Sequence, residues 1–279
     1  MKTGERRFRR MIFTHELFLR LVLRTGRPLR DLLSERASFL PVIGRERPAA
    51  MVLKAVFLDL DDTLVATSAH DARAFAHAAA LAERRCAVAL DLDRLVGDVR
   101  EQIRSAPWDP EYEVEVTAWR AAMWRRALEN QGVADGADGA AKLGDELQAA
   151  YDTNRMGDFP FMPEVPATLG HLASRGLRTV VITNGHHLVQ RNKLAACRAH
   201  ELFPDPRQII VGGEEVLAGR PEKPHPSIFR LACGVANCEP SEAIHVGDSL
   251  SADVQVRVGE RWRRSFLRDD SSFTPHAPT

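Results

Sequence analysis

One stretch constrains this chain more than any other: an apolar, β-branched run, Val52 to Leu60, that ends in carboxylates. The run reads VLKAVFLDL, the pattern of a parallel strand covered on both faces. It leads directly into Asp59, Leu60, Asp61, Asp62 and Thr63. Acidic groups at the end of a buried strand are costly unless they are paired, bind a metal or do chemistry. An interior sheet with a reactive end is therefore expected.

Residues 68–150 carry no second strand of that quality. They read as helices over 69–86, 91–104, Thr117–Gln131 and Ala140–Tyr151, separated by Pro107, Pro110 and the Gly/Asp-rich 132–139. One of Trp119 and Trp124 is expected in the core of this all-helical insertion. Strand and helix then alternate. Helix Pro166–Arg175 closes on Gly176, strand Arg178–Thr183 turns at Asn184-Gly185, and helix Leu188–Ala199 follows. A short strand Gln208–Val211, helix Pro226–Gly234 and strand Ala243–Val246 complete the series, the last running into Gly247-Asp248. Such alternation predicts an α/β fold with a doubly wound, mostly parallel sheet, whose ligands lie at the carboxyl ends of the strands.

Composition bounds the rest. A chain of 279 residues with 44% hydrophobic and 27% charged residues is an ordinary globular protein with a sizeable core. No apolar run approaches the roughly 18 residues that a spanning helix needs, so a membrane partner is not expected. The net charge of zero hides an asymmetry: residues 1–50 hold 12 Lys/Arg against 5 Asp/Glu, and the remainder is acidic by the same margin. This basic extension is expected to be poorly ordered. Glu5, Glu16, Asp31 and Glu35 count against a mitochondrial presequence, which stays a minor alternative, and nucleic acid is a disfavoured partner. Met51 precedes the first strand, so Met1 and Met51 both stand as working starts. Cys86, Cys197, Cys233 and Cys238 have unrelated spacings, which argues for free thiols in a reducing, cytoplasmic setting.

The strand ends then supply the chemistry. The first offers Asp59, Asp61 and Thr63; the second Thr183 and Asn184; a Pro-flanked loop offers Lys223; the last strand offers Asp248 and Asp253. Each alone has an ordinary reading as a turn, a solvated lysine or a helix cap. In order, each at the end of its own strand, they suit a hard cation and a phosphoryl group. Mg²⁺ takes oxygen ligands and keeps room for phosphate, and a carboxylate beside it can attack phosphorus. A second carboxylate can move the proton, while a lysine and small donors hold the transferred oxygens.

This ordered set resembles the haloacid dehalogenase superfamily of phosphotransferases, through DLDDT (59–63), Thr183 of ITNG, Lys223 and GDSLSAD (247–253). The resemblance implies a Rossmann-like core over 51–67 and 156–255, a helical cap over 68–155, and a divergent tail over 256–279. It implies Asp59 as a nucleophile that becomes an aspartyl-phosphate. Asp61 would be acid/base and would lend its main-chain carbonyl to Mg²⁺. Thr183, Asn184 and Lys223 would hold phosphoryl oxygens. Asp248 would complete the metal site with Asp59 and Asp61, supported from behind by Asp253 and Thr63. An acid at Asp61 fits phosphate esters, whereas a halide leaving group needs no proton.

Within that superfamily, ITNGHHLVQRNKLAAC (182–197), VGGEE (211–215), EKPHPSIFRLAC (222–233) and HVGDSLSADVQ (245–255) resemble the N-acylneuraminate-9-phosphatase branch. Arg120, Trp124 and Ala127 of WRAAMWRRALENQG resemble its cap helix. The implied activity is a phosphomonoesterase for N-acylneuraminate 9-phosphate or a related small sugar phosphate. Another small ester such as a nucleotide or phosphoglycolate, a phosphomutase, and a non-catalytic binding protein stay open. The last reading draws on the end of the chain, where Arg257, Arg261, Arg263 and Arg264 replace the superfamily's small residues. There the tail is expected to be disordered, with a stub of strand near Trp262–Leu267, leaving one flank of the sheet uncovered and the chain less stable than its relatives. The adjacent His186 and His187 are expected to point apart, too divergent to share a ligand.

Overall fold

The computed structural model describes residues 53–134, 139–254 and 263–266. The basic segment 1–50, with its targeting and start-site readings, lies outside the described residues, as does the tail other than 263–266. The described chain divides into two compact units. One takes the residues up to Val65 with Phe161–Leu194 and the described part of Arg198–Thr279; the other is Ala66–Pro160 with Ala195–Cys197.

The first unit is a five-stranded parallel sheet: β1 (Ala55–Leu58), β2 (Arg178–Thr183), β3 (Ile209–Val211), β4 (Ala243–Gly247) and β5 (Arg263–Phe266). Its spatial order is β3-β2-β1-β4-β5. Every residue of β1 is buried, as a central strand requires. Ala55 pairs with Arg178 on one side and Ala243 on the other, while Leu58 pairs with Val181 and Val246. This in-step pairing brings the chain out of β1, β2 and β4 at the same end of the sheet.

Helices α5 (Val165–Ser174), α6 (His187–Ala196), α7 (Ala199–Leu202), α8 (Gly212–Leu217) and α9 (Pro226–Ala236) complete this unit. Phe57, Val180, Ile182 and Ile210 from the sheet bury against Ile228 and Phe229 of α9. Pro166 and Pro226 occupy first turns, where a missing N–H costs nothing. One helix expected from sequence differs. The predicted helix Leu188–Ala199 is split, because Arg198 takes a left-handed φ of 56°. Gly212-Gly213 starts a short helix, where a side chain on Gly213 would collide with the Gly185 carbonyl.

Arg263–Phe266 forms the stub of strand expected near Trp262–Leu267 and pairs along β4, Ile244 with Arg263 and Gly247 with Phe266, so β4 is paired on both sides.

The second unit is helical: α1 (Thr67–Arg85) precedes α2 (Leu92–Ser105), α3 (Val116–Glu129) and α4 (Ala140–Met156) in sequence. Asp91 caps α2 by accepting from Arg94 N–H, and Glu115 caps α3 by accepting from Thr117 and Ala118. Phe75, Leu95, Trp124, Leu128, Leu147 and Tyr151 form the core. Trp124 is the buried tryptophan, its indole N–H donating to Gln148 at 3.2 Å; Trp119 is half-buried. Gly144 lets α4 approach α3, since a Cβ there would lie 2.8 Å from the Ala121 carbonyl.

Phe57 carries the centre of the sheet unit and is fully buried. Phe57→Ala is expected to cost about 3–5 kcal/mol. The cost will be read as a lowered urea midpoint for the sheet unit, and an unchanged midpoint would remove Phe57 from that role.

Candidate active site at the carboxyl ends of the strands

After β1 the chain folds back on itself. Leu64 and Val65 N–H both donate to the Leu60 carbonyl, at 2.9 and 3.1 Å, and Asp62 N–H donates to the Val65 carbonyl at 2.8 Å. Asp62 takes a φ of 51°, a left-handed conformation that Asp tolerates better than most residues. This tight loop buries Leu60.

Lys223 Nζ lies between two carboxylates, 2.5 Å from Asp59 Oδ1 and 2.8 Å from Asp253 Oδ1. All three side chains are almost closed to solvent. Asp253 is the more fully satisfied acid. His245 Nε2 lies 2.8 Å from its Oδ1, and Ser249 N–H donates to its Oδ2 at 2.9 Å. A single π-helical turn, Leu250–Val254, sets Asp253 over β4. Any side chain on Gly247 would collide with the Asp253 carboxylate, which explains the glycine at the end of that strand.

Two carboxylates sharing one ammonium titrate apart. Burial pushes Asp59 up to about 7, with Lys223 pulling against it and Asp253 and Asp61 adding to the rise. Burial also works to raise Asp253, but His245 and Lys223 outweigh it and hold that carboxyl well below the usual range. Burial likewise opposes the charge on Lys223, and Asp59 with Asp253 reverses this and raises it, so the ammonium persists at neutral pH. Burial lowers His245, which stays neutral and donates from Nε2 to Asp253.

At the end of β2, Thr183 is fully buried. Asn184 uses both ends of its amide on the Lys223 main chain: Nδ2 donates to the Lys223 carbonyl at 2.7 Å, and Oδ1 accepts from its N–H at 3.1 Å. Sequence reasoning gave Asn184 to the phosphoryl group; here it holds the loop that delivers Lys223. Glu222 on the same loop accepts from Gly185 N–H at 3.3 Å.

Asp59, Asp248 and Asp253 each present a carboxylate oxygen within 4.8 Å of the others, the group among the described residues able to hold a metal ion. Burial first, then Asp253 and Asp62, push Asp248 up to about 6. With all three ionised and Lys223 protonated the cluster carries a net charge of minus two, the charge that one divalent cation balances. An all-oxygen donor set suits a hard cation. Thr63 Oγ1 is buried with no partner among the described residues. The Asp61 side chain does not join this cluster.

Sequence reasoning missed three contributors: His245 behind Asp253, and Gln190 and Lys193 on α6. Lys193 Nζ donates to both Asp61 oxygens, at 2.7 and 2.8 Å. The signal for the pair was the three-residue spacing of Gln190 and Lys193 within a helix, which puts both on one face. His186 and His187 do not point apart; their rings stack at 4.5 Å, because they straddle the start of α6.

Comparison with known proteins gives this arrangement its kinship. The family described as haloacid dehalogenase-like hydrolase matches residues 53–256. N-acylneuraminate-9-phosphatase of Rattus norvegicus is 30% identical over 204 residues, covering 73% of this chain and 77% of the relative. Glyceraldehyde 3-phosphate phosphatase of Methanopyrus kandleri is 29% identical over 206 residues, covering 73% and 79%. The crystal structure of a haloacid dehalogenase-like family hydrolase from Xanthomonas campestris shares the fold, with a TM-score of 0.51 at 16% identity over 75% of this chain and 79% of that one. With its carboxylates and lysine gathered where β1, β2 and β4 end, the chain belongs to the haloacid dehalogenase-like hydrolases and is a phosphatase of that family.

Proposed function

We propose that this chain is a Mg²⁺-dependent phosphomonoesterase that works through a phosphoaspartate on Asp59, with a sugar-acid phosphate of the N-acylneuraminate 9-phosphate kind as substrate. The observation that carries the reading is the buried Asp59 carboxylate, 2.5 Å from Lys223 Nζ and within 4.8 Å of the Asp248 and Asp253 oxygens. Asp59, the Asp61 main-chain carbonyl and Asp248 would hold the cation, with Asp253 and Thr63 behind them. Bound there, Mg²⁺ would offset the repulsion between a carboxylate and a phosphate dianion.

Asp59 attacks phosphorus as the ester P–O bond breaks, and Asp61 gives its proton to the leaving oxygen. Asp61 then takes a proton from water, whose oxygen displaces Asp59 from phosphorus and releases inorganic phosphate. Lys223 keeps its positive charge beside the nucleophile, and the Thr183 hydroxyl and Lys223 hold the transferred oxygens, with Asn184 clamping the Lys223 loop in place. The substrate assignment rests on the 30% identity with the rat N-acylneuraminate-9-phosphatase. The 29% identity with the Methanopyrus kandleri enzyme supports a second reading, a smaller triose-type phosphate on the same machinery. Four free cysteines among the described residues accord with a reducing, cytoplasmic setting. No helix among those residues is long and apolar enough to cross a membrane.

Phosphate release from a panel of esters, with Mg²⁺ and with chelator, tests the reading. N-acetylneuraminate 9-phosphate should lead and chelator should abolish turnover. A lead by glyceraldehyde 3-phosphate or a nucleotide replaces the substrate, and a need for a sugar bisphosphate activator turns the enzyme into a mutase. Asp59→Asn should lower kcat at least roughly a thousandfold in a chain that stays folded by circular dichroism; retained turnover removes Asp59 as nucleophile.

The raised carboxyls also fix a pH dependence. Their folded forms favour the proton, so the stability they contribute is present below the unfolded value of about 4 and lost as pH rises through about 6 to 7. Cation binding needs the ionised forms and restores what is lost. Saturating Mg²⁺ should therefore raise Tm more at about pH 8 than at about pH 5.5; an equal rise at both would separate the cation from these two acids.

A further inference from the structure

Gln190 and Lys193 lie one turn apart on α6, 1% and 5% exposed, and neither takes a direct part in phosphoryl transfer. Their polar ends nonetheless converge on two groups that it does use. Lys193 Nζ bridges both Asp61 oxygens at 2.7 and 2.8 Å. Gln190 Nε2 is 2.8 Å from Asp61 Oδ2, 2.5 Å from Thr183 Oγ1 and 2.7 Å from the Asn184 carbonyl. A primary amide has two N–H groups, so these three acceptors compete for two hydrogens.

We propose that Gln190 and Lys193 are positioning residues that fix the Asp61 carboxylate in one rotamer and the Thr183 hydroxyl in one orientation, a role that rests on Asp61 being the acid/base. Two donors on separate side chains grip Asp61, so its carboxylate cannot swing toward the metal-capable acids. Thr183 Oγ1 accepts from Gln190, which leaves its own hydrogen to be donated to a phosphoryl oxygen. A lysine buried this far is costly without an anionic partner, and Asp61 supplies it. The fork thus joins a proton-transfer group on the β1 loop to a phosphate-holding group at the end of β2 through one helix face.

The consequence depends on the leaving group. An alkoxide needs the proton that a well-placed Asp61 delivers; p-nitrophenolate leaves without one. Water must be deprotonated in the second step whichever ester came first. Loosening Asp61 should therefore spare phosphoryl transfer from p-nitrophenyl phosphate and slow everything else.

Rapid mixing of the Mg²⁺-loaded chain with p-nitrophenyl phosphate, alongside steady-state turnover of an alkyl phosphate, tests this. Lys193→Met and Gln190→Leu are expected to keep a p-nitrophenolate burst of one equivalent per site. Their later turnover, and kcat for the alkyl ester, should fall about tenfold or more with KM little changed. Arg191→Ala, a change on α6 that breaks an exposed ion pair with Glu214 of α8, should behave as the parent. Lys193→Arg, which keeps the charge, should recover part of the loss. If Lys193→Met does not fold, Gln190→Leu makes the same demand without removing a charge. Normal turnover of both esters by the variants overturns the proposal, as does a parallel fall in burst, kcat and substrate affinity. A parent chain with no Mg²⁺-dependent phosphatase activity overturns the reading of function and this role together, whereas an active parent with indifferent variants overturns this role alone.

Discussion

The Lys223 ammonium, held between Asp59 and Asp253, is the interaction on which the site depends. It lets two buried acids stand side by side, and it splits their behaviour. Asp253, with His245 and Ser249 as further donors, keeps its charge, while Asp59 is left poised near neutrality. The lysine cannot hold this place from a free loop. Asn184 clamps its main chain at both the N–H and the carbonyl, tying the Lys223 loop to the end of β2. The in-step pairing of β1 with β2 and β4 then brings all the partners to one level. Charge, clamp and register are three expressions of one arrangement.

Much of this was legible in the chain itself. Val52–Leu60 announced a buried strand with a reactive end, and the Asp, Thr, Lys and Asp motifs came in the order in which the strands deliver them. Periodicity also separated the helical insertion from the alternating remainder. What stayed hidden were contacts between residues far apart in sequence. Gln190 and Lys193 read as ordinary polar positions on a helix until their partner, 129 and 132 residues earlier, comes into reach. His245 read as one residue of an apolar strand, and only the π turn after Gly247 gives it Asp253. Arg198 broke a helix that local pattern extended, since nothing nearby in sequence marks an arginine for the left-handed region.

The helical unit illustrates a different division. Its core follows from amphipathic spacing, with Trp124, Phe75 and Leu147 falling on inward faces. Its polar interior does not. Tyr151 donates to Asp71 at 3.0 Å and Trp124 to Gln148, pairings that join α4 to α1 and to α3. Burial of such groups is tolerable because each finds a partner, and those partners become visible only once the helices are packed.

The pairing of β5 with β4 has a consequence for solubility. β4 carries His245 and runs straight into Asp248, and its sequence AIHVG is short, apolar and buried throughout. Without Arg263–Phe266 it would be the rim of the sheet, offering unpaired N–H and C=O groups beside an apolar surface, which is the template that drives intermolecular strand addition. With β5 in place that template is masked, and among the described residues the rims of the sheet become β3 and β5, of three and four residues. The same backbone ladder that extends the sheet thus keeps the strand bearing the acids from recruiting a second molecule.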